Sequence, residues 1–352
     1  MNNFYKKKTG RWLLGLCFAI GLIGCEDTVE YTSSPRENFE ALWQILDENY
    51  CFFEYKEVDW DEVHDRYEHQ IVDTMDQFAL FDVLGDMLAE LKDGHTNLSS
   101  PFDMSRYWAW YEDYPDNFDE KILENYLGTD YRIAGGMRYR TLADEQIGYI
   151  YYPSFSSGVG ETNLDYILYQ FKDCMGLIID IRNNGGGVLT YSDRIAARFI
   201  EGSLLTGYIQ HKTGPGHDEF SEPYALTLSA AEGHTLWYRP VIVLTNRQCY
   251  SSANDFVQAM RLLPQVRTMG DKTGGGSGFP YNSELPNGWL VRFSASRTLG
   301  VDYEQLEFGI EPDIPIAMKE TDADAGKDTI LETAIQLLLT AQGDPARLPA
   351  KK

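Results

Sequence analysis

Residues 240–260 read PVIVLTNRQCYSSANDFVQAM: an apolar strand (VIVLT), a short turn, and a helix with apolar periodicity that opens at a serine pair. Ser252 thus falls where a strand gives way to a helix. The first N–H groups of a helix have no internal partners and carry partial positive charge. A serine oxygen placed there can attack a carbonyl, and nearby N–H groups can hold the oxyanion that forms. The same residues also fit a plain helix cap, because Ser252 and Asp255 make an S-x-x-D pattern. Ser251 is the second candidate nucleophile. Cys249 in the same turn is a rival, although a buried structural thiol is the better account of it. A nucleophile needs a base and an oxyanion site, so other segments must supply them.

Two segments have the right chemistry. Residues 176–187, GLIIDIRNNGGG, run from an apolar strand into three glycines before a helix. Glycines there let backbone N–H groups approach a ligand without obstruction by Cβ. A phosphate loop is a poor fit, since no Lys-Ser or Lys-Thr follows and G-x-G-x-x-G does not match. A tight turn without ligand and an oxyanion site both remain open. Residues 93–96, DGHT, place His95 after a glycine turn at the end of a predicted helix, a setting no other histidine shares. His64 and His69 are five apart on one helix and do not share a face, so no metal site is expected there. No metal or other cofactor is expected anywhere in the chain.

The elements that must carry these residues fall into regions. Residues 37–100 show helical periodicity and predict an N-terminal subdomain of three helices. Residues 101–147, rich in aromatic and acidic side chains, predict an irregular connector or a lid. From 148 to 340 strands alternate with helices, which predicts an α/β core with parallel pairing. GLIIDIR, with a continuous apolar run in LII, suits a strand buried on both faces. Residues 341–352 predict a loose tail.

The first 24 residues look like a targeting segment. Lys6, Lys7, Lys8 and Arg11 precede an apolar run too short to span a bilayer, which ends in Leu22-Ile23-Gly24-Cys25. This resembles a bacterial lipobox, which implies cleavage before Cys25, lipidation of its thiol and stable attachment to a membrane of the cell envelope. Residues 25–36 would then be a linker. An outer-membrane lipoprotein, periplasmic or surface-exposed, is expected. The net charge of −24 argues against nucleic acid as a partner. Cys51, Cys174 and Cys249 are too few and too scattered for a disulfide framework, although one bridge among them is possible.

DGHT, GLIIDIRNNGGG, an apolar strand followed by N-R-x-x-x-S-S-A, GDKTGGGSG and GIEPD occur in that order. In this set the chain resembles the C-terminal processing peptidase (tail-specific protease) family over about residues 39–338. The resemblance implies a crotonase-like ββα core and hydrolysis of peptide or protein substrates. One branch of the family uses a Ser–Lys dyad with the lysine in G-x-x-T-x-G-K. Here a glycine stands at that lysine's place, and Lys272 falls elsewhere in the motif. The chain therefore resembles the tricorn-like branch, which uses histidine. By that resemblance Ser252 is the nucleophile and His95 the general base. Gly186 or Gly187 with Ala253 would form the oxyanion hole. A glutamate before Gly309-Ile310-Glu311-Pro312 would complete the site. The family position falls nearest Leu306, which leaves Glu307 or Glu304. Too few residues separate His95 from the IGYIYY strand for the PDZ domain many relatives carry. Retinoid-binding relatives share this core, so a catalytically silent ligand- or peptide-binding protein is the alternative. Acyl-CoA chemistry, suggested by the crotonase-like core alone, suits an acidic exported chain poorly.

Overall fold

The computed structural model describes residues 34–351. The leader segment 1–24 and Cys25 lie outside the described residues.

The N-terminal region is helical. In α1 (Pro35–Asn49), Ser34 accepts the Glu37 N–H at 3.3 Å, with proline in the first turn. Then come α2 (Phe53–Lys56), α3 (Trp60–Glu68) and α4 (Gln77–Ala89), the last two capped by Asp59 and Asp76. The predicted set lacks α2, which is a single turn and too short to show a period. Phe39, Leu42, Trp60, Leu84 and Leu88 form one core with Val291 and Phe293.

Residues 101–147 are more regular than expected. After β1 (Asn97–Ser99) come β2 (Met104–Arg106), α5 (Ala109–Glu112), α6 (Glu120–Leu127), β3 (Arg132–Ala134) and β4 (Met137–Leu142). These elements are short and mostly half-exposed, so hydrophobic pattern marks them weakly. β4 is held by antiparallel pairing with β5 (Ile147–Tyr151), with Tyr139 opposite Ile150.

The remaining elements are α7 (Glu161–Gln170), β6 (Gly176–Asp180), α8 (Leu189–Ala196), β7 (Ser203–His211), β8 (Tyr224–Ser229), β9 (Val241–Thr245), α9 (Ser252–Arg261), β10 (Val266–Gly270), β11 (Gly278–Glu284), β12 (Leu290–Leu299), β13 (Ile314–Pro315), α10 (Glu320–Asp324) and α11 (Thr329–Ala341). One sheet runs β13-β10-β9-β6-β5-β4-β3 and is parallel from β13 to β5. Strands β5, β6, β9 and β10 are buried along their whole length, as parallel strands covered on both faces must be. Ile178, Ile242 and Leu244 meet α11 on one face. The alternate residues Leu177, Ile179, Val241 and Val243 meet α7, α8 and α9 on the other. The second sheet runs β2-β1-β12-β7-β8, with β11 also on β12, and is antiparallel. The molecule is thus a mixed α/β fold with an N-terminal helical region.

Arg182, just past β6, is fully buried and meets Asp180 at 2.6 Å and Asp328, the cap of α11, at 2.7 Å. This three-way ionic contact fixes the strand end from which the glycine loop departs. The expected loose tail instead packs on the body: Leu348 is buried, and Lys351 Nζ donates to the Leu263 carbonyl at 2.6 Å.

Candidate active site

Strand β9 delivers its turn to the start of α9. Ser251 has φ 57° and ψ −127°, a left-handed setting uncommon for a residue with Cβ. Its N–H donates to the Gly275 carbonyl at 2.9 Å, and its own carbonyl accepts from Asn254 at 2.7 Å. The capping reading of Ser252 does not hold. The N-cap is Ser251, no side chain caps the helix, and Ser252 Oγ is buried without any hydrogen-bond partner. Asn254 locks the first turn in place by accepting the Thr273 hydroxyl at 2.6 Å. Thr273 Oγ1 in turn accepts the Ile310 N–H at 2.7 Å. The GDKTGGG segment thereby ties the serine turn to the loop carrying Glu307.

Gly186 sits directly against this turn. Its φ is +91°, and a Cβ there would lie 2.6 Å from the Tyr250 carbonyl oxygen and 2.9 Å from Ser251 Cβ. Two of the three expected oxyanion donors are already engaged. The Gly186 N–H closes an Asx turn onto Asn184 Oδ1 at 2.9 Å, and the Ala253 N–H closes onto the Tyr250 carbonyl at 3.1 Å. Among the described residues, the N–H groups of Gly187 and of Ser252 itself engage no partner.

His95 is buried, and its ring lies 4.9 Å from that of Tyr250, two residues before the serine. Tyr250 stacks on Trp110 at 4.1 Å, and Gly276 leaves room for it, since a Cβ there would come within 2.5 Å of the phenol ring. His95 Nδ1 and Ser252 Oγ both lack partners, so the hydrogen bond expected between the serine and the imidazole is not formed here. Burial pushes the imidazole down to about 4, helped by Arg292 and Lys56 and opposed by Asp93. The ring is therefore neutral at pH 7 and able to accept a proton.

The two candidate glutamates separate. Glu304 is partly exposed and pairs with Arg261 at 3.4 Å. Glu307 is buried, accepts Lys56 Nζ at 2.9 Å and accepts the Ser277 N–H at 2.9 Å. Neither bonds the imidazole. Burial raises Glu307 to about 7, with Asp93 adding to it and Lys56 opposing.

Asp93 takes the place nearest the histidine. Its carboxylate accepts the His95 backbone N–H at 2.8 Å, Tyr50 Oη at 2.9 Å and Ser294 Oγ at 3.0 Å, with Lys56 Nζ at 3.8 Å. Burial alone would raise it, but Lys56, His95 and these donors hold it below the usual carboxylate range. Asp93 was visible in DGHT, but nothing in sequence gave it a role. Lys56, on one helical turn remote in the chain, carried no signal.

The rivals fall away. Cys249 is buried, donates to the Ile181 carbonyl at 3.0 Å and is raised to about 12. Lys272 pairs at the surface with Glu311 at 3.4 Å. Cys51, Cys174 and Cys249 are all free thiols. His64, Asp65 and Glu68 on α3 bring ligand atoms within 4.8 Å of one another, but His64 Nε2 already meets Glu40 at 3.1 Å.

Comparison with known proteins places the chain in a family. Residues 146–316 match Peptidase family S41, and residues 31–89 match the Tricorn protease C1 domain. The chain is 64% identical to a candidate peptidase from Parabacteroides merdae ATCC 43184, covering 88% of this chain and 98% of that one, with a TM-score of 0.85. It is 25% identical over 178 residues to carboxy-terminal processing protease CtpA of Bacillus subtilis (strain 168), covering 50% of this chain and 36% of that protein. It is 27% identical over 198 residues to tricorn protease of Thermoplasma volcanium (strain ATCC 51530), covering 55% of this chain and 17% of that protein. The chain thus spans well under half the length of these two curated relatives. With a helical N-terminal region and a core that match in these comparisons, the chain belongs to the S41 family of serine peptidases.

Proposed function

We propose that this chain hydrolyses peptide bonds with Ser252 as nucleophile and His95 as general base, on a crotonase-like core anchored to the envelope through lipid on Cys25. One observation carries the reading: a buried serine hydroxyl, capping nothing, at the mouth of a helix whose first N–H is free. That hydroxyl needs a partner, and a substrate carbonyl is the chemistry that the surrounding N–H groups fit. The oxyanion would lie between the N–H groups of Gly187 and Ser252. His95, neutral at pH 7, would take the serine proton and pass it to the leaving amine. Nucleophile–base bonds in substrate-free enzymes are often long, and here substrate must bring the two together. Asp93 and Lys56 would hold the histidine loop.

The test is labelling with a fluorophosphonate. Wild type should be labelled at Ser252, Ser252→Ala not at all, and His95→Ala at least about 100-fold more slowly. Equal labelling of Ser252→Ala would move the nucleophile elsewhere. A second reading, a peptide- or ligand-binding protein on the same fold, is favoured by the missing Ser252–His95 bond. It predicts saturable peptide binding with no labelling at either residue.

A further inference from the structure

A cavity of about 190 Å³ lies between the first turns of α8 and α9 and strands β7, β8 and β12. Its walls are mostly apolar, with Leu226, Leu299 and Leu306 among them. Besides Thr227, and Thr206 and Thr298 whose hydroxyls donate to the Leu226 and Ser277 carbonyls, three polar side chains present acceptor oxygens to it. Asp193 on α8 and Asp255 on α9 have no hydrogen bond or ion pair among the described residues. Gln258 is 4% exposed and its Oε1 has no partner, its Nε2 being spent on the Thr206 carbonyl at 3.1 Å. No lysine or arginine lines the cavity.

Position links the cavity to the serine. Asp255 is three residues beyond Ser252 on one helix, hence on the same side and about 4.5 Å further along the axis. Asp193 lies on the helix that begins just after Gly187. Both carboxylates therefore hang from elements whose starts form the candidate oxyanion site.

Gln258 Oε1 is a buried acceptor without a donor, and the two carboxylates beside it are half-buried and unpaired; a group that brings donors and a positive charge satisfies all three. Lysine and arginine side chains carry such a tip on an apolar stem. We propose that this cavity is the pocket for the substrate side chain next to the scissile bond, and that it selects lysine or arginine. The apolar walls take the stem, and Asp193, Asp255 and Gln258 Oε1 take the charged end. Burial supports this, raising Asp193 to about 6 and Asp255 to about 7, so that a bound cation would ease both carboxylates into their charged forms. The inference rests on the peptidase reading and names its substrate class.

Two measurements on the full chain test it separately from that reading. The first is cleavage of a fluorogenic peptide set that varies only on the N-terminal side of the scissile bond. Lysine and arginine should exceed norleucine by about tenfold or more in kcat/KM, and the ratio should fall to near one in D193N/D255N. The second is the thermal shift with n-butylamine or n-butylguanidine at pH 8, with n-butanol as the uncharged control. The amines should raise the melting temperature of wild type, and the shift should vanish in the double variant. Cleavage with no preference for basic residues, or a preference that survives D193N/D255N, overturns the pocket while leaving the peptidase intact. Amine binding that the double variant abolishes, without cleavage of any peptide, leaves a cation site but overturns the peptidase reading and with it the assignment of the cavity as a substrate pocket.

Discussion

Replacing Lys56 with methionine should damage this protein far more than a lysine substitution usually does. The side chain is 3% exposed, with its ammonium 2.9 Å from Glu307 and 3.8 Å from Asp93. At an effective dielectric near 20, those contacts are worth roughly 6 and 4 kcal/mol before desolvation is subtracted. Removing one member of a buried ionic cluster leaves the others uncompensated, at a net cost of about 3–5 kcal/mol. The loss should also depend on pH in a definite direction. Glu307 sits at about 7 in the folded protein, above its ordinary 4.5, so its contribution is full below pH 4.5 and is lost as pH rises through 7. Between pH 6 and 8 that amounts to about 1.4 kcal/mol in wild type. Without Lys56 the folded value climbs further, and the same interval should remove up to about 2.7 kcal/mol. Urea unfolding of wild type, Lys56→Met and Lys56→Met/Glu307→Gln at pH 6 and 8, followed by tryptophan fluorescence, reads both effects. The double variant should recover part of the loss and flatten the added pH dependence. A single variant within 1 kcal/mol of wild type at both pH values, or no recovery in the double variant, would refute the argument.

Fluorophosphonate labelling of wild type should hold steady from pH 7 to 5 and fall near pH 4, where the depressed His95 is protonated. A limb at pH 6–7 instead would mean a solvated ring in the reactive state. Because its folded value lies below the unfolded 6.5, His95 also contributes stability that is present above pH 6.5 and fades toward pH 4, by roughly 3 kcal/mol in all. Gly186→Ala should cut labelling by about 100-fold or more, since the new methyl would strike the Tyr250 carbonyl at 2.6 Å. Arg182→Met should cost about 3–5 kcal/mol in urea unfolding at neutral pH, because Asp180 and Asp328 are left buried without their partner.

Much of the core was legible because its strands are short runs rich in apolar residues and its helices are long enough to show a period. VIVLT, GLIIDIR and VRTMG could hardly be anything but covered strands, and their parallel order followed from the helices between them. Short half-exposed pieces escaped: β4, β8 and β11 bury few of their residues fully, and α2 and α5 are single turns. Within the candidate site, spacing brought Ser252, His95 and the glycine loop to notice. Hydrogen bonding did not follow from spacing. Which N–H groups remain free was decided by Asn184 and by the Tyr250 carbonyl, neither of which a motif reveals. Lys56 was invisible because a lone lysine among Glu54, Glu57 and Asp59 reads as solvated surface until tertiary contacts enclose it.

The pairing order within the sheet has a further consequence. His95, Gly187, Ser252 and Glu307 come from four segments spread over more than half the chain, and they meet only once β6, β9 and the loop after β12 have docked. Contacts that close such long loops form late and slowly. A chain emerging from synthesis, or one whose C-terminal part has been clipped, therefore has no assembled centre at all. The chemistry proposed for the folded molecule is withheld until folding is complete.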